Sequence, residues 1–249
     1  MIEYHRSYRK IGKSYKDLII EFILLTSPFL TIILLFLEKI IDFISDFSLY
    51  HLSSYFYVST TQINFLFWRL KLIEFSAPYP TNSLCLFAIV VSILFIILLR
   101  KVNIPIPFYL FISYNFIILL ISALYFLFFK ERFPYDIKTF SELYIKMQIG
   151  IILFSIISLG IGLSILPSPI FLDFIVVLGI FTYSIVFSAV RYTLFLFLLK
   201  KLSYLVMPLF FFNFGPLLDF VYVIGIYSFY VSILANRYKN KLEVWKWLY

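Results

Sequence analysis

The chain has 249 residues, of which 63% are hydrophobic, 22% aromatic and only 14% charged. A mean hydropathy of +0.99 lies far above that of a soluble globular domain and predicts a polytopic membrane protein. The formal charge of +8 is no nucleic-acid signature: its largest block (Arg6, Arg9, Lys10, Lys13 and Lys16) directly precedes an apolar run and suits an anionic lipid leaflet.

About 20 apolar residues cross a hydrocarbon core at a rise of about 1.5 Å per residue. Six runs meet that length, roughly 18–37, 83–99, 106–129, 147–166, 170–199 and 204–235, which predicts an all-α fold with about six transmembrane helices. No small-residue cleavage site follows the first run, so it reads as a retained helix rather than a signal peptide. It carries Glu21 and then Pro28, an interface-proximal carboxylate followed by a kink. Residues 38–82 mix polar side chains (Glu38, Lys39, Asp42, Asp46) with aromatics (Tyr50, Tyr55, Tyr57, Trp68), the composition of an interfacial segment that partly lies on the membrane. Pro105 and Pro107 mark the start of the third run, and Pro167-Ser168-Pro169 leaves room only for a tight hairpin between the fourth and fifth. Lys200-Lys201 marks the next turn. The chain thus divides into 1–82 (basic segment, first helix, interfacial segment), a five-helix membrane core at 83–240, and an exposed tail at 241–249. Six spans put both termini on one side. That side collects eleven basic residues against nine, which favours termini facing the matrix or cytoplasm.

Charges inside the runs are the candidates for function, because an intramembrane ionisable group is costly and by default marks an ion or proton path. Arg191 lies about 13 Å along the helix from Lys200. It faces either a watery path or a partner subunit or lipid phosphate that satisfies it. Asp173 shares its run, and Asp219 follows Gly215-Pro216, where a disturbed helix offers carbonyls or water to the carboxylate. Glu142 and Lys146, spaced i, i+4 at the start of the fourth run, read as an interfacial ion pair or as part of the same path. Gly150, Gly160 and Gly162 in that run either admit a close neighbour or mark an irregular turn. Cys85 is the single cysteine, and His5 and His51, the only histidines, lie outside the runs. An intrachain disulfide, a cysteine-cluster metal site and intramembrane histidine ligation are thereby excluded, and no cofactor is expected. No phosphate loop, Ser/His/Asp set or HExxH motif is present, so the chain alone is not expected to catalyse a reaction.

Lys101-Val102-Asn103-Ile104-Pro105-Ile106-Pro107, the stretch Glu142, Tyr144, Gly150 to Phe154, and the basic cap Ala235-Asn236-Arg237 together resemble subunit 6 of respiratory complex I (the bacterial J subunit), in a diverged, Phe- and Tyr-rich mitochondrially encoded form. The resemblance covers about 83–240. It implies a non-catalytic membrane-arm subunit that helps couple quinone reduction to proton movement. Its setting would be the mitochondrial inner membrane, or otherwise a bacterial inner membrane, among the other hydrophobic subunits of a large respiratory complex. It also implies a π-bulge near Tyr144 to Gly150 in the fourth helix. A second resemblance, through Ser188-Ala189-Val190-Arg191 and Leu218-Asp219-Phe220, is to the a subunit of rotary ATP synthase, whose arginine faces a ring of carboxylate-bearing helices. A structural accessory subunit with no ion path is the third reading.

Overall fold

The apolar runs fold into helices, and the polar breaks into short turns and two small strand pairs. The computed structural model describes residues 9–11, 13–238 and 245–247, so Arg6, Lys239 and Lys241 lie outside the described residues. In chain order the elements are β1 (Arg9–Ile11), α1 (Tyr15–Leu52), β2 (Ser59–Phe65), β3 (Trp68–Glu74), α2 (Asn82–Leu99), α3 (Ile106–Phe129), α4 (Ile137–Ser164), α5 (Ile170–Leu202), α6 (Met207–Phe212), α7 (Leu218–Tyr238) and β4 (Trp245–Trp247). A five-residue π-turn, Asn213–Leu217, joins α6 to α7. With the stretch from Tyr204 to Arg237 taken as one element, six helical elements among the described residues are long and apolar enough to cross a membrane. Their outward faces carry large apolar side chains such as Phe87, Leu98 and Phe108, all more than half exposed. A soluble monomer does not display so much apolar surface. The protein is an all-α, multi-pass membrane protein.

Two elements depart from the expected pattern. Residues 38–52, read from composition as part of an interfacial segment, are helical and follow the first span beyond a non-helical Phe36; Ile41, Ile44, Ser48 and Leu52 recur at helical spacing and are buried. α1 has 38 residues and contains a kink. Its non-helical point is Phe36 (φ −121°, ψ 15°) rather than the turn around Pro28. Residues 59–74 form the antiparallel hairpin β2–β3, with Phe65 opposite Trp68 and Ser59 opposite Glu74.

The fourth helix is also not as the resemblance implied. α4 is α-helical from Ile137 to Ser164, through Tyr144 and Gly150. Glycine weakens a helix by about 1 kcal/mol but keeps its N–H, so the ladder continues through Gly150. The π-turn forms at 213–217 instead, where Pro216 lacks an N–H and its ring crowds the preceding turn. α4 starts where Asp136 caps it, its Oδ1 accepting from the Thr139 N–H at 2.7 Å. Burial pushes this carboxyl up, but the Thr139 N–H and hydroxyl and the Lys138 charge outweigh it and hold the group below its ordinary value.

The chain forms two compact units. One comprises residues 1–40, 149–186 and 219–249. Phe29 centres its aromatic core, 5.1 Å from the Phe174 ring and 5.6 Å from that of Phe181. β1 pairs antiparallel with β4, with Lys10 opposite Lys246. Gly160 and Gly162 both admit close neighbours in this unit. A Cβ on Gly160 would fall 2.2 Å from Thr26 Cγ2, and one on Gly162 would fall 3.1 Å from the Tyr227 ring. Gly150 does neither, since nothing lies within 4 Å of its Cβ position.

The other unit comprises residues 41–148 and 187–218. β3 runs through its core, with Leu70, Leu72 and Ile73 fully buried. A strand inside a helical unit must have its polar backbone satisfied. The hairpin supplies part of this pairing and side chains supply more: the Ser141 hydroxyl donates to the Ile73 carbonyl at 2.9 Å, and Ser45 donates to that of Lys71 at 2.6 Å.

Candidate functional site

The best-developed polar cluster lies in this second unit and is centred on Arg191. α5 presents Phe187, Ser188, Arg191 and Tyr192 within little more than one helical turn, so these side chains share neighbouring faces. Arg191 is 3% exposed. Its Nε donates to the Tyr144 hydroxyl at 3.0 Å and its guanidinium donates to the Gly215 carbonyl at 2.9 Å. One side chain thereby ties α4, α5 and the π-turn together. The Phe187 and Tyr144 rings face the guanidinium carbon, with centroids 5.2 Å and 5.7 Å away, a favourable placement for a desolvated cation.

The hydrogen bonding continues beyond the arginine. Tyr144 donates to the Ser188 carbonyl at 3.2 Å, and the Ser188 hydroxyl donates to Gln148 Oε1 at 3.1 Å. Tyr192 stacks on Tyr144 with ring centroids 5.0 Å apart, and its hydroxyl accepts from the Ile73 N–H at 3.4 Å. Asn213 opens the π-turn fully buried, and neither atom of its amide has a hydrogen-bond partner among the described residues.

The predicted site residues are distributed over both units. Arg191 and Tyr144 meet directly. Glu142 and Lys146 form the expected i, i+4 ion pair at 2.5 Å, about one-third exposed, with Lys146 also 5.5 Å from the Phe65 ring centroid. Asp173 belongs to the first unit, where its buried carboxylate accepts from the Ser168 hydroxyl at 2.7 Å and from the Tyr230 hydroxyl at 2.6 Å. Asp219, in that same unit, is buried in the first turn of α7. Gly150 is exposed on a regular stretch of α4.

Tyr192, Gln148 and Asn213 were not predicted as site residues, and Ser188 entered only through the stretch that resembles the a subunit of rotary ATP synthase. Ser188 and Gln148 carried a weak signal, as polar residues three and two positions from groups that were singled out; Tyr192 and Asn213 are common residues in a Tyr-rich chain and offered none. The arrangement can hold a permanent positive charge in a fixed place, since arginine does not release its proton. It can also align hydroxyl and amide groups in a chain.

No protein family, curated protein or solved structure matches this chain. The functional reading rests on the residues themselves.

Proposed function

We propose that the chain is a non-catalytic membrane subunit of a proton-translocating respiratory assembly of the NADH:ubiquinone oxidoreductase kind, located in the mitochondrial inner membrane with both termini on the matrix side. The observation that carries this reading is the buried Arg191 with its chain Tyr144–Ser188–Gln148. A fixed cation beside aligned hydroxyl and amide groups shapes the field along a proton route without itself titrating. The sequence resemblance over 83–240 supplies the kind of assembly, and the regular α4 takes away the helical irregularity that was part of it. The rotary reading needs an arginine that faces a ring outside the chain, and the burial of Arg191 counts against it.

One observation favours a structural accessory subunit as the second reading: Arg191 donates to the Tyr144 hydroxyl and to the Gly215 carbonyl and lies against aromatic rings, as a clamp would. The test is an affinity-tagged purification from native membranes followed by proton-pumping assays. Iron–sulfur and quinone-reducing partners support the proposal, and a ring of small carboxylate-bearing helices supports the rotary alternative. Arg191→Gln keeps donors but removes the charge. An assembled complex that pumps normally with this variant leaves only the structural reading.

A further inference from the structure

The turn of the β2–β3 hairpin consists of Leu66 and Phe67, closed by the pair Phe65–Trp68. Leu66 has φ 55°, the left-handed conformation that glycine adopts freely and a branched apolar residue does not. In a two-residue turn whose first position is left-handed, glycine is the usual choice there. The chain instead places a leucine, 74% exposed, followed by a phenylalanine, 92% exposed. Two large apolar side chains at a strained, projecting tip mean that their contact with something outside this chain outweighs the strain.

The hairpin's direction says what that contact is. Ile73, far from the tip, receives the Ser141 hydroxyl, whereas Phe65, beside the tip, lies against the ammonium of Lys146. The tip is therefore displaced from Ile73 in the sense of rising residue number along α4, by about 7.5 Å per five residues. Lys146 is the last charged residue of α4 in that direction. Behind the tip the hairpin carries two rungs that each pair an amide with a cation, Asn64 with Arg69 and then Gln62 with Lys71, which is also paired to Asp46. An apolar tip backed by cationic and amide side chains suits a lipid surface, with the hydrocarbon side chains inward and the polar ones at headgroup level.

We infer that Leu66 and Phe67 insert into the lipid surface, so that the hairpin is a membrane-anchoring finger as well as part of the folded core. The inference depends on the membrane-spanning fold and not on which assembly the chain joins. The test uses the full chain with Cys85→Ala, carrying Phe67→Cys or Gln62→Cys labelled with an environment-sensitive fluorophore, in vesicles of phosphatidylcholine and phosphatidylglycerol. The label at Phe67 is expected to emit at shorter wavelength, to be quenched by lipids brominated near the headgroup end of their chains, and to be shielded from aqueous iodide several-fold better than the label at Gln62. Equal iodide access at the two positions overturns the inference. So does shielding of the Phe67 label that occurs only in the native complex and not in vesicles, which assigns the tip to a partner protein. A second variant, Leu66→Gly with Phe67→Asn, relaxes the turn and removes the apolar tip. It should keep or raise thermal stability in detergent while making the Gln62 label more iodide-accessible in vesicles; unchanged access in vesicles also overturns the inference.

Discussion

Gly160→Ala is the most discriminating perturbation of the helix packing, because the structure says which atom it strikes and how to relieve the clash. The added methyl would sit 2.2 Å from Thr26 Cγ2, with the Phe22 ring edge at 3.2 Å. Carbon atoms prefer separations of about 3.5–4.0 Å, so the Thr26 contact is short by about 1.3 Å. Thr26 is not free to swing aside, because its hydroxyl donates to the Phe22 carbonyl at 2.8 Å. α1 and α4 must therefore separate locally, and overpacking of this kind costs about 1–3 kcal/mol. Alanine returns about 0.5–1 kcal/mol through its better helix propensity, leaving a net loss of about 1–2 kcal/mol. Thr26→Ser removes the offending methyl and keeps the hydroxyl. The double variant should recover about 1–2 kcal/mol relative to the sum of the single effects, a coupling typical of residues in contact. Helicity followed through denaturant titration in detergent micelles reads all four corners of the cycle. Gly150→Ala, with no atom within 4 Å of the new methyl, is the control and should be neutral or stabilising by up to about 1 kcal/mol. The reasoning fails if Gly160→Ala behaves like Gly150→Ala, or if Thr26→Ser brings no relief.

Arg191→Lys keeps the charge but loses the planar fork that reaches Tyr144 and Gly215 together, so the same titration should show a loss of about 1–3 kcal/mol. Tyr230→Phe removes one of the hydroxyls on the buried Asp173 carboxylate and should destabilise the protein by about 1–3 kcal/mol; a value indistinguishable from zero would remove Asp173 from the list of supporting contacts. Asp136→Ala should cost about 0.5–2 kcal/mol at neutral pH through loss of the helix cap. Because the folded carboxyl titrates below its ordinary value of 3.8, the cap's contribution is present above that pH and disappears as pH falls through the lower folded value. The stability difference between Asp136→Ala and the parent should therefore shrink only below about pH 4.

The spans were legible because each satisfies a single strong requirement, a continuous apolar length, and nothing in the polar breaks competes with it. The hairpin was not, although its signal exists: Thr61, Ile63 and Phe65 alternate with polar residues, as do Trp68, Leu70 and Leu72. That period of two was hidden by charges and aromatics that also suit a membrane surface. The helical 38–52 stretch was masked for the same reason, since its buried Ile41, Ile44 and Leu52 alternate with charges (Glu38, Lys39, Asp42, Asp46) and with exposed aromatics such as Phe43 and Tyr50. Arg191 and Tyr144 were both visible in the sequence, but their meeting was not, because the partner helices contribute one side chain each from positions 47 residues apart. Gly150 misled because in a chain of 7 glycines each one draws notice, while only a crowded Cβ position distinguishes a packing glycine from an ordinary one.

The placement of the π-turn connects the two hardest requirements of this chain. A buried guanidinium needs acceptors at the depth where it is held, and an α-helix offers few, because its carbonyls are already engaged. Pro216 withdraws one N–H from the ladder, the stretch 213–217 takes a π-turn, and the Gly215 carbonyl within that turn accepts from Arg191. The irregularity and the charge thus each answer the other's deficit: without Arg191 the π-turn carbonyl at Gly215 loses a charged donor, and without the turn Arg191 loses an acceptor. Such a mutual arrangement is stable in one geometry only. That is why Arg191→Gln, which can donate to one of the two acceptors but carries no charge, separates the electrostatic role of this residue from its role as a clamp: a clamp tolerates the change in proportion to the hydrogen bonds kept, whereas a field-setting charge does not.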